Sequence, residues 1–538
     1  MPKSIIICSD GTGNTAIKNR GTNVFKLFEA IDLNGHRLEP TLDPQVAFYD
    51  DGVGTESLLP LKLLGGAFGF GLAKNVRNLY MDLVRVYDPG DPSTPADRIY
   101  LFGFSRGAFT VRTLAGLIAK CGVLDRNKLP DADALRSAVW NAYSTYRRSY
   151  RTWLGNVVNQ VLVALRLRRA DADAMADFKQ AHSLPGEVRI RFIGVWDTVD
   201  AVGGPFHTSD VINAVFHRFK FPDQILSDKV DQAVHALSID EARAAFGPVL
   251  WEAKPNIEQV WFAGVHSNVG GGYPKQGMSL VTLDWMIQKA QKNGLRILAD
   301  DRKTYWEHSN VDDKMYDSRA GLGVFYRWKP RNMQKLCLDQ KAAMPPAIHL
   351  SVLERIAHGT DGYAPGTLAP DASVTFTETN DPMQTEALIV RAQAAKSALE
   401  GAYARQGSDL RKARGTVFIG RIAYYIYVLC CLLTILAASV PPDAGSRRDL
   451  RILLQNAGTL IYDAVTVQWE PLFSAAKRLF TDPKLIGMLL AGFAVAGALA
   501  YYVDHKRSLV FSRYWHDARQ ELRKALKSAR KVVLKERQ

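Results

Sequence analysis

The sequence contains few cysteines and none in a paired motif. Five occur among 538 residues: Cys8, Cys121, Cys337, Cys430 and Cys431. Their odd number and scattered spacing argue against a zinc knuckle or a disulfide framework and fit a reducing compartment. A Walker loop, an HExxH motif and a metal-spaced histidine cluster are also absent from the sequence. We therefore expect a protein with no metal and no other cofactor.

A recognisable secretory signal is likewise absent. The apolar run Ile5–Cys8 is too short for the hydrophobic region of a signal peptide and is typical of a buried strand. We therefore expect no Sec-dependent export, so that a chain leaving the cell would need another route.

Two long apolar runs near the carboxyl terminus predict membrane-spanning helices. Residues Ile422–Val440 and Leu485–Val503 contain no charged residue, and each approaches the ~20 residues that cross a bilayer core. We expect two transmembrane helices, about 422–440 and 485–503, within a segment 417–504; two buried core helices are the alternative. Basic residues flank the pair on both outer sides. For a resident membrane protein, this predicts that the domain before the two runs and the tail after them are both cytoplasmic.

Basic charge is concentrated in the same part of the chain. The formal net charge is +14, and residues 505–538 form a basic tail in which Leu522, Leu526 and Val533 are spaced as an apolar stripe. Such a charge favours nucleic acid, anionic lipid or an acidic partner. Because the excess lies beside the apolar runs, we expect a phospholipid membrane as partner and no nucleic acid.

Residues 1–375 alternate short β-branched runs with helical stretches. Such alternation predicts an α/β-hydrolase-like domain, a mostly parallel sheet with helices on both faces and helical insertions. The predicted strands are Ser4–Cys8, Gln45–Tyr49, Arg98–Phe102, Arg189–Val195 and Gln259–Ala263, the clearest helices are Ala73–Tyr87 and Arg106–Lys120, and the insertions are Asp131–Gln180 and Pro205–Pro255. Residues 376–416 predict an amphipathic helical linker to the apolar runs.

A G-x-S-x-G motif lies between a predicted strand and a predicted helix. It reads Gly103-Phe104-Ser105-Arg106-Gly107. A strand–turn–helix of this kind is the nucleophile elbow of α/β hydrolases, in which the flanking glycines permit close backbone approach. We therefore predict that Ser105 is a nucleophile; a glycine-containing turn without catalysis is the alternative.

Two later strand ends supply the partners that a serine nucleophile requires. A base must take the hydroxyl proton and a carboxylate must orient that base, in the chain order Ser, Asp, His. Asp197 follows one buried predicted strand and His266 follows the next, both at the edge where α/β sites form. We predict Asp197 as the acid and His266 as the base. Asp200 and His349 are the rival acid and base, and a helix cap or a structural histidine would be the noncatalytic explanation.

The loop after the first strand is rich in glycine and begins with an acidic residue, Asp10. Its backbone N–H groups at Gly11 and Thr12, with that of Arg106 at the start of the elbow helix, are predicted to hold an oxyanion. An Asp-x-Asp-Gly-Thr loop would instead indicate an aspartyl phosphatase. Cys8 stands where that chemistry needs its nucleophilic aspartate, which disfavours a phosphatase.

Five blocks together resemble the DUF2235 family: Ser9–Thr12, Asp51–Thr55, Gly103–Ala108, Gly194–Val199 and Gly264–Tyr273. The resemblance covers roughly residues 3–370. It implies the catalytic domain of a phospholipase that acts as a lipid-degrading effector of bacterial type VI secretion, with the triad Ser105, Asp197 and His266. It also implies hydrolysis of a glycerophospholipid acyl ester in the manner of a phospholipase A. A secretion-machinery or immunity protein as partner, and delivery to a target cell, follow from the same resemblance.

Three functional hypotheses result. The first is a membrane-associated serine hydrolase that cleaves acyl esters of glycerophospholipids. The second is an esterase of a soluble or cell-wall ester, which would show no preference for a lipid interface. The third is a catalytically inert protein that disrupts or anchors to membranes, for which replacement of Ser105 would leave the biological effect unchanged.

Overall fold

A parallel sheet organises the N-terminal part of the chain. The computed structural model describes residues 1–11, 21–52, 66–148, 171–199, 224–320, 326–366, 368–369, 371–379, 381–415, 417–438, 455, 459 and 483–535. Its strands are β1 (Ser4–Ser9), β2 (Gln45–Asp50), β3 (Arg98–Phe104), β4 (Ile190–Trp196), β5 (Val230–Ser238), β6 (Ile257–Phe262), β7 (Ala347–His349) and β8 (Ser373–Thr375). They pair in the order β2-β1-β3-β4-β5-β6-β7-β8, and every pairing is parallel. The predicted parallel α/β architecture is confirmed.

Alternate residues of the central strands enter two separate cores. In β1, Ile5 and Ile7 belong to one core and Ile6 and Cys8 to the other, and all four are fully buried. This follows from the two-residue period of a strand, and a strand covered on both faces must be apolar throughout. Each isoleucine buried in this way stabilises the fold by about 1.5–3 kcal/mol.

Helices cover both faces of the sheet and then extend the chain. They are α1 (Asn23–Glu29), α2 (Gly35–Leu38), α3 (Gly66–Val86), α4 (Arg106–Cys121), α5 (Ala132–Arg148), α6 (Asp171–His182), α7 (His266–Gly270), α8 (Gly277–Lys292), α9 (Ala299–His308), α10 (Met333–Asp339), α11 (Leu350–His358), α12 (Pro382–Gly415), α13 (Val417–Ala438) and α14 (Pro483–Lys535). Helices α3, α4 and α5 pack on one face, whereas α1 and α8 pack on the other. Helix α4 follows β3 directly, as the elbow motif predicts.

Strand β5 lies inside the predicted insertion Pro205–Pro255, which is a difference from the expected sheet. It pairs with β4 on one side and β6 on the other. Its polar residues Asp231, Gln232 and His235 interrupt the apolar pattern that predicts a buried strand. His235 is accommodated in the core because its ring bonds to the Thr198 N–H and to Gln259. Strands β7 and β8 are too short to give a periodic signal.

The prediction of two transmembrane helices is wrong. Within the described residues, no helix is long and apolar enough to cross a membrane. The second apolar run is the first part of α14, which continues through the charged tail to Lys535. Ala423, Cys430 and Ala496 are buried, and a Cβ at Gly492 would lie 2.4 Å from Cys430 Sγ. Described side chains of both runs therefore pack between α13 and α14, and the cytoplasmic orientation deduced from two membrane spans no longer has a basis.

The later part of α14 packs on the domain that contains the sheet. Trp515 and Leu522 are buried in the same apolar cluster as residues of α11. Arg523 donates through Nη2 to the His358 carbonyl at 2.7 Å and through Nε to the Ala357 carbonyl. These carbonyls end α11, where a cation is favoured by the helix dipole. This part of the predicted apolar stripe, and one cation of the basic tail, therefore bind the chain's own sheet-containing domain.

Candidate active site

Ser105 lies at the turn between β3 and α4. It is the N-terminal cap of α4, with φ 58° and ψ −120°, a region that residues other than glycine rarely adopt. Its N–H donates to the Trp196 carbonyl at 3.0 Å and so ties the turn to the end of β4. Backbone strain that the surrounding fold maintains is typical of functional residues, and a sharp, strained turn is typical of the nucleophile elbow.

The two glycines of the motif lie where backbone segments touch. A Cβ at Gly103 would be 2.6 Å from Ala108 N, and a Cβ at Gly107 would be 2.0 Å from the Ser9 carbonyl oxygen. Side chains at these positions would collide with backbone, which is harder to displace than a flexible side chain. The end of β1 therefore packs directly against the elbow, and its loop is adjacent to the site.

The three side chains predicted from the sequence form one hydrogen-bonded chain. His266 Nε2 lies 2.8 Å from Ser105 Oγ, and His266 Nδ1 lies 2.5 Å from Asp197 Oδ2. Because an ionised carboxylate only accepts, Nδ1 carries the proton of the neutral ring and Nε2 presents its lone pair to the serine hydroxyl. Phe104 and Phe246 pack on the imidazole, with centroids 4.6 and 5.0 Å away. The ring is thus held in the orientation that a general base requires.

Asp197 is completely buried at the end of β4. Its carboxylate accepts from the Ser238 N–H at 3.0 Å and the Ser238 hydroxyl at 3.1 Å. Arg331 donates to both oxygens, with Nη1–Oδ1 at 2.6 Å and Nη2–Oδ2 at 2.9 Å. Burial by itself would raise the pKa of Asp197, but Arg331 and His266 outweigh burial and hold that pKa well below its usual range. Ser238 and Arg331 are not predicted from the sequence, because no local motif contains either.

Burial also governs the titration of His266. Loss of solvent around the ring lowers its pKa, and the hydrogen bond and charge of Asp197 offset only part of this effect. The imidazole therefore stays neutral below the pH at which a free histidine would gain its proton. A general base must be neutral to accept a proton, so the environment keeps His266 competent at neutral pH.

This shift leads to a prediction about pH. As pH falls, kcat/KM is expected to decline with a midpoint below about 6.5, the ordinary histidine pKa, because protonation of His266 removes the base and its pKa is lowered. The measurement is kcat/KM for a soluble chromogenic ester between pH 4 and pH 8, with structural integrity followed by circular dichroism. A midpoint above 6.5 on an intact fold would contradict the assignment.

The predicted oxyanion donors have different surroundings. Arg106 is the first residue of α4, a position at which a helix has no internal acceptor for the backbone N–H. The Gly11 N–H points to its neighbour, donating to Asp10 Oδ1 at 2.6 Å. Asp10 also accepts from the Tyr49 hydroxyl at 2.7 Å. Thr12 lies outside the described residues. The assignment of these donors stays a prediction.

The rival acid and base have other positions. His349 caps α11, with Nδ1 2.8 Å from Ser351 Oγ and Nε2 3.2 Å from Thr377 Oγ1. Burial lowers its pKa to about 3. Asp200 lies outside the described residues. In the part of the chain that the structure describes, no cluster of three or more His, Cys, Asp or Glu side chains is suited to a metal ion.

An elbow serine, a histidine and a carboxylate joined in this order at one edge of a parallel sheet are the arrangement of serine hydrolases of the α/β class. Residues 3–289 match the family described as T6SS, phospholipase effector Tle1-like, catalytic domain. The chain belongs to this family, which confirms the resemblance to type VI secretion phospholipases.

Individual relatives are distant. An uncharacterized protein of Saccharomyces cerevisiae is 27% identical over 272 residues, which cover 48% of this chain and 34% of that protein. The chain thus spans about a third of that relative's length. A crystal structure of an uncharacterized protein from Pseudomonas aeruginosa is 17% identical, with a TM-score of 0.34, over 74% of this chain and 60% of that chain. A Tle1 effector bound to the VgrG spike of the Type 6 secretion system is 14% identical, with a TM-score of 0.33, over 65% of this chain and 85% of that chain.

Proposed function

We propose that the chain hydrolyses acyl esters of glycerophospholipids, as a phospholipase A, through Ser105, His266 and Asp197. The hydrogen-bonded chain from Ser105 to Asp197 carries the proposal, because acyl transfer to a serine needs a base and an oriented carboxylate. Membership of a phospholipase effector family supports a phospholipid as the substrate.

The reaction has two steps. Ser105 Oγ attacks the ester carbonyl while His266 Nε2 takes the hydroxyl proton, and the lysophospholipid alcohol leaves with that proton. Water then attacks the acyl-enzyme, His266 takes its proton, and the fatty acid leaves as Ser105 regains the proton. In both steps Asp197 stabilises the imidazolium, and the N–H of Arg106, with donors of the loop after β1, stabilises the tetrahedral oxyanion.

The substrate defines where the enzyme works. Glycerophospholipids reside in bilayers, so the enzyme associates with a lipid surface during turnover. As a member of a type VI effector family, the chain is delivered by that machinery to a target cell and has a component of it as partner. We also expect an immunity protein in the producing cell as a second partner.

The products of vesicle hydrolysis test the proposal. With vesicles of phosphatidylethanolamine and phosphatidylglycerol, we expect free fatty acid and lysophospholipid in equal amounts, because one acyl ester is cut in each turnover. Mass spectrometry measures both products, and lipids with different sn-1 and sn-2 chains report the position. Diacylglycerol or phosphatidic acid as product would refute an acyl esterase. Turnover of monomeric p-nitrophenyl butyrate without release of fatty acid from vesicles would favour a soluble-ester esterase.

A further inference from the structure

We infer that Arg331 is a positioning residue of this hydrolase, which fixes the carboxylate of Asp197 and supplies its permanent counter-charge. The inference rests on the proposed function, because it assigns a role to a residue that acts through Asp197 and His266. Arg331 precedes α10 and lies outside residues 3–289, the part of the chain that matches the family. It therefore adds a component to the site from a later segment of the chain.

The guanidinium binds the carboxylate in a bidentate manner. Its Nη1–Oδ1 and Nη2–Oδ2 distances are 2.6 and 2.9 Å, and the Arg331 side chain is 3% exposed. A planar fork that donates to both oxygens sets the direction as well as the distance of a carboxylate. With both oxygens held, Asp197 Oδ2 is directed at His266 Nδ1.

The buried negative charge of Asp197 also requires Arg331. Asp197 is 0% exposed, and an ionised carboxylate taken out of water needs a partner of opposite charge. His266 is neutral in the resting enzyme because it must present a lone pair to Ser105. In the described chain, the Asp197 ion pairs are those with His266 and Arg331, so the permanent cation is Arg331.

Arg331 also contacts two backbone carbonyls close to His266. Its Nη2 donates to the Phe246 carbonyl at 2.6 Å, and its Nη1 donates to the Ser238 carbonyl at 2.7 Å. The Phe246 ring packs edge-on against His266. One side chain thereby connects the acid, the end of β5 and an aromatic contact of the imidazole.

The other charged groups near this pair have partners of their own. Glu241 accepts from the His266 backbone N–H and binds Arg243 through both carboxylate oxygens. Burial lowers the pKa of His235 to about 3, which keeps that ring neutral. Burial raises the pKa of Asp240 to about 6, and its carboxylate accepts from the Gly264 N–H. The charge of Arg331 also lowers the pKa of His235, Asp240 and Glu241. The effect that Arg331 exerts through Asp197 is therefore isolated by a comparison with an enzyme that lacks the Asp197 carboxylate.

The test is a double-mutant cycle in the full chain, assayed on p-nitrophenyl butyrate. R331M is expected to lower kcat about 100-fold, with KM changed less than about threefold. The reason is that a carboxylate no longer held in the right direction does not orient and stabilise the protonated His266 in the transition state. Loss of the cation favours the imidazolium, so the acid limb of kcat/KM moves up by about one pH unit. R331K keeps the charge without the fork and is expected to recover about tenfold of the lost kcat. In D197N, R331M is expected to cost less than about threefold, because its target is gone.

An R331M or R331K enzyme with wild-type kcat and pH profile overturns the inference, as does an R331M loss of full size in the D197N background. If R331M does not fold, the R331K kcat and acid limb still decide, since that variant keeps a buried cation. Failure of the proposed triad differs, because S105A and D197N would then also retain full activity. Failure of the proposed lipid substrate would appear in the vesicle assay and would leave the cycle on the soluble ester unchanged.

Discussion

Replacing Ser105 by alanine is expected to reduce release of fatty acid from phospholipid vesicles by about 10⁴- to 10⁶-fold. In the proposed mechanism this hydroxyl attacks the ester carbonyl, and alanine has no nucleophilic atom at that position. Alanine keeps the Cβ, so the positive φ of the turn is no more strained than in the wild type. We therefore expect the melting temperature to change by less than about 2 °C, measured by circular dichroism beside the activity assay.

A serine outside the site provides the control. Ser93 lies on an exposed turn between α3 and β3, and Ser93→Ala is expected to keep activity within about twofold, since surface changes are small in effect. Equal hydrolysis by wild type and S105A, both correctly folded, would remove Ser105 from the mechanism. An unchanged biological effect of S105A, with no hydrolysis by either protein, would favour the hypothesis of a protein that acts on membranes without catalysis.

The same substitution at two buried histidines is expected to have opposite results. His266→Asn retains a donor toward Asp197 but no basic nitrogen toward Ser105, so kcat should fall about 10⁴-fold. His349→Asn should keep kcat within about threefold, because His349 caps α11 and asparagine is a good helix cap. Kinetics on vesicles and on a soluble ester measure both variants. A loss at His349 with activity kept at His266 would make His349 the base.

The sequence predicts much of this site because its chemistry follows a fixed chain order. Ser105, Asp197 and His266 each follow a strand with a recognisable apolar run, and a parallel sheet brings the ends of its strands to one edge. The structure places the His266 ring within hydrogen-bonding distance of both Ser105 and Asp197. No tertiary knowledge is needed beyond the class of fold.

The residues that support the acid could not be predicted in this way. Ser238 ends β5, a strand that the sequence does not reveal because polar residues interrupt its apolar pattern. Arg331 lies 134 residues from Asp197 in a segment without a motif. Which arginine becomes buried depends on packing between distant segments, which local periodicity does not report. The prediction of transmembrane helices was wrong for a related reason. An uncharged helix packs against other helices as readily as against lipid, and the sequence alone does not distinguish the two.

The hydrogen-bonded chain of the site has a consequence for folding. Its contacts join residues 161 and 69 positions apart, and the Arg331 contact spans 134. Contacts between such distant segments form slowly and late, after many loops have closed. A nascent or partly folded chain therefore has a serine without its base and a carboxylate without its cation. Under the proposed function, hydrolysis of lipids begins only when these distant segments have come together.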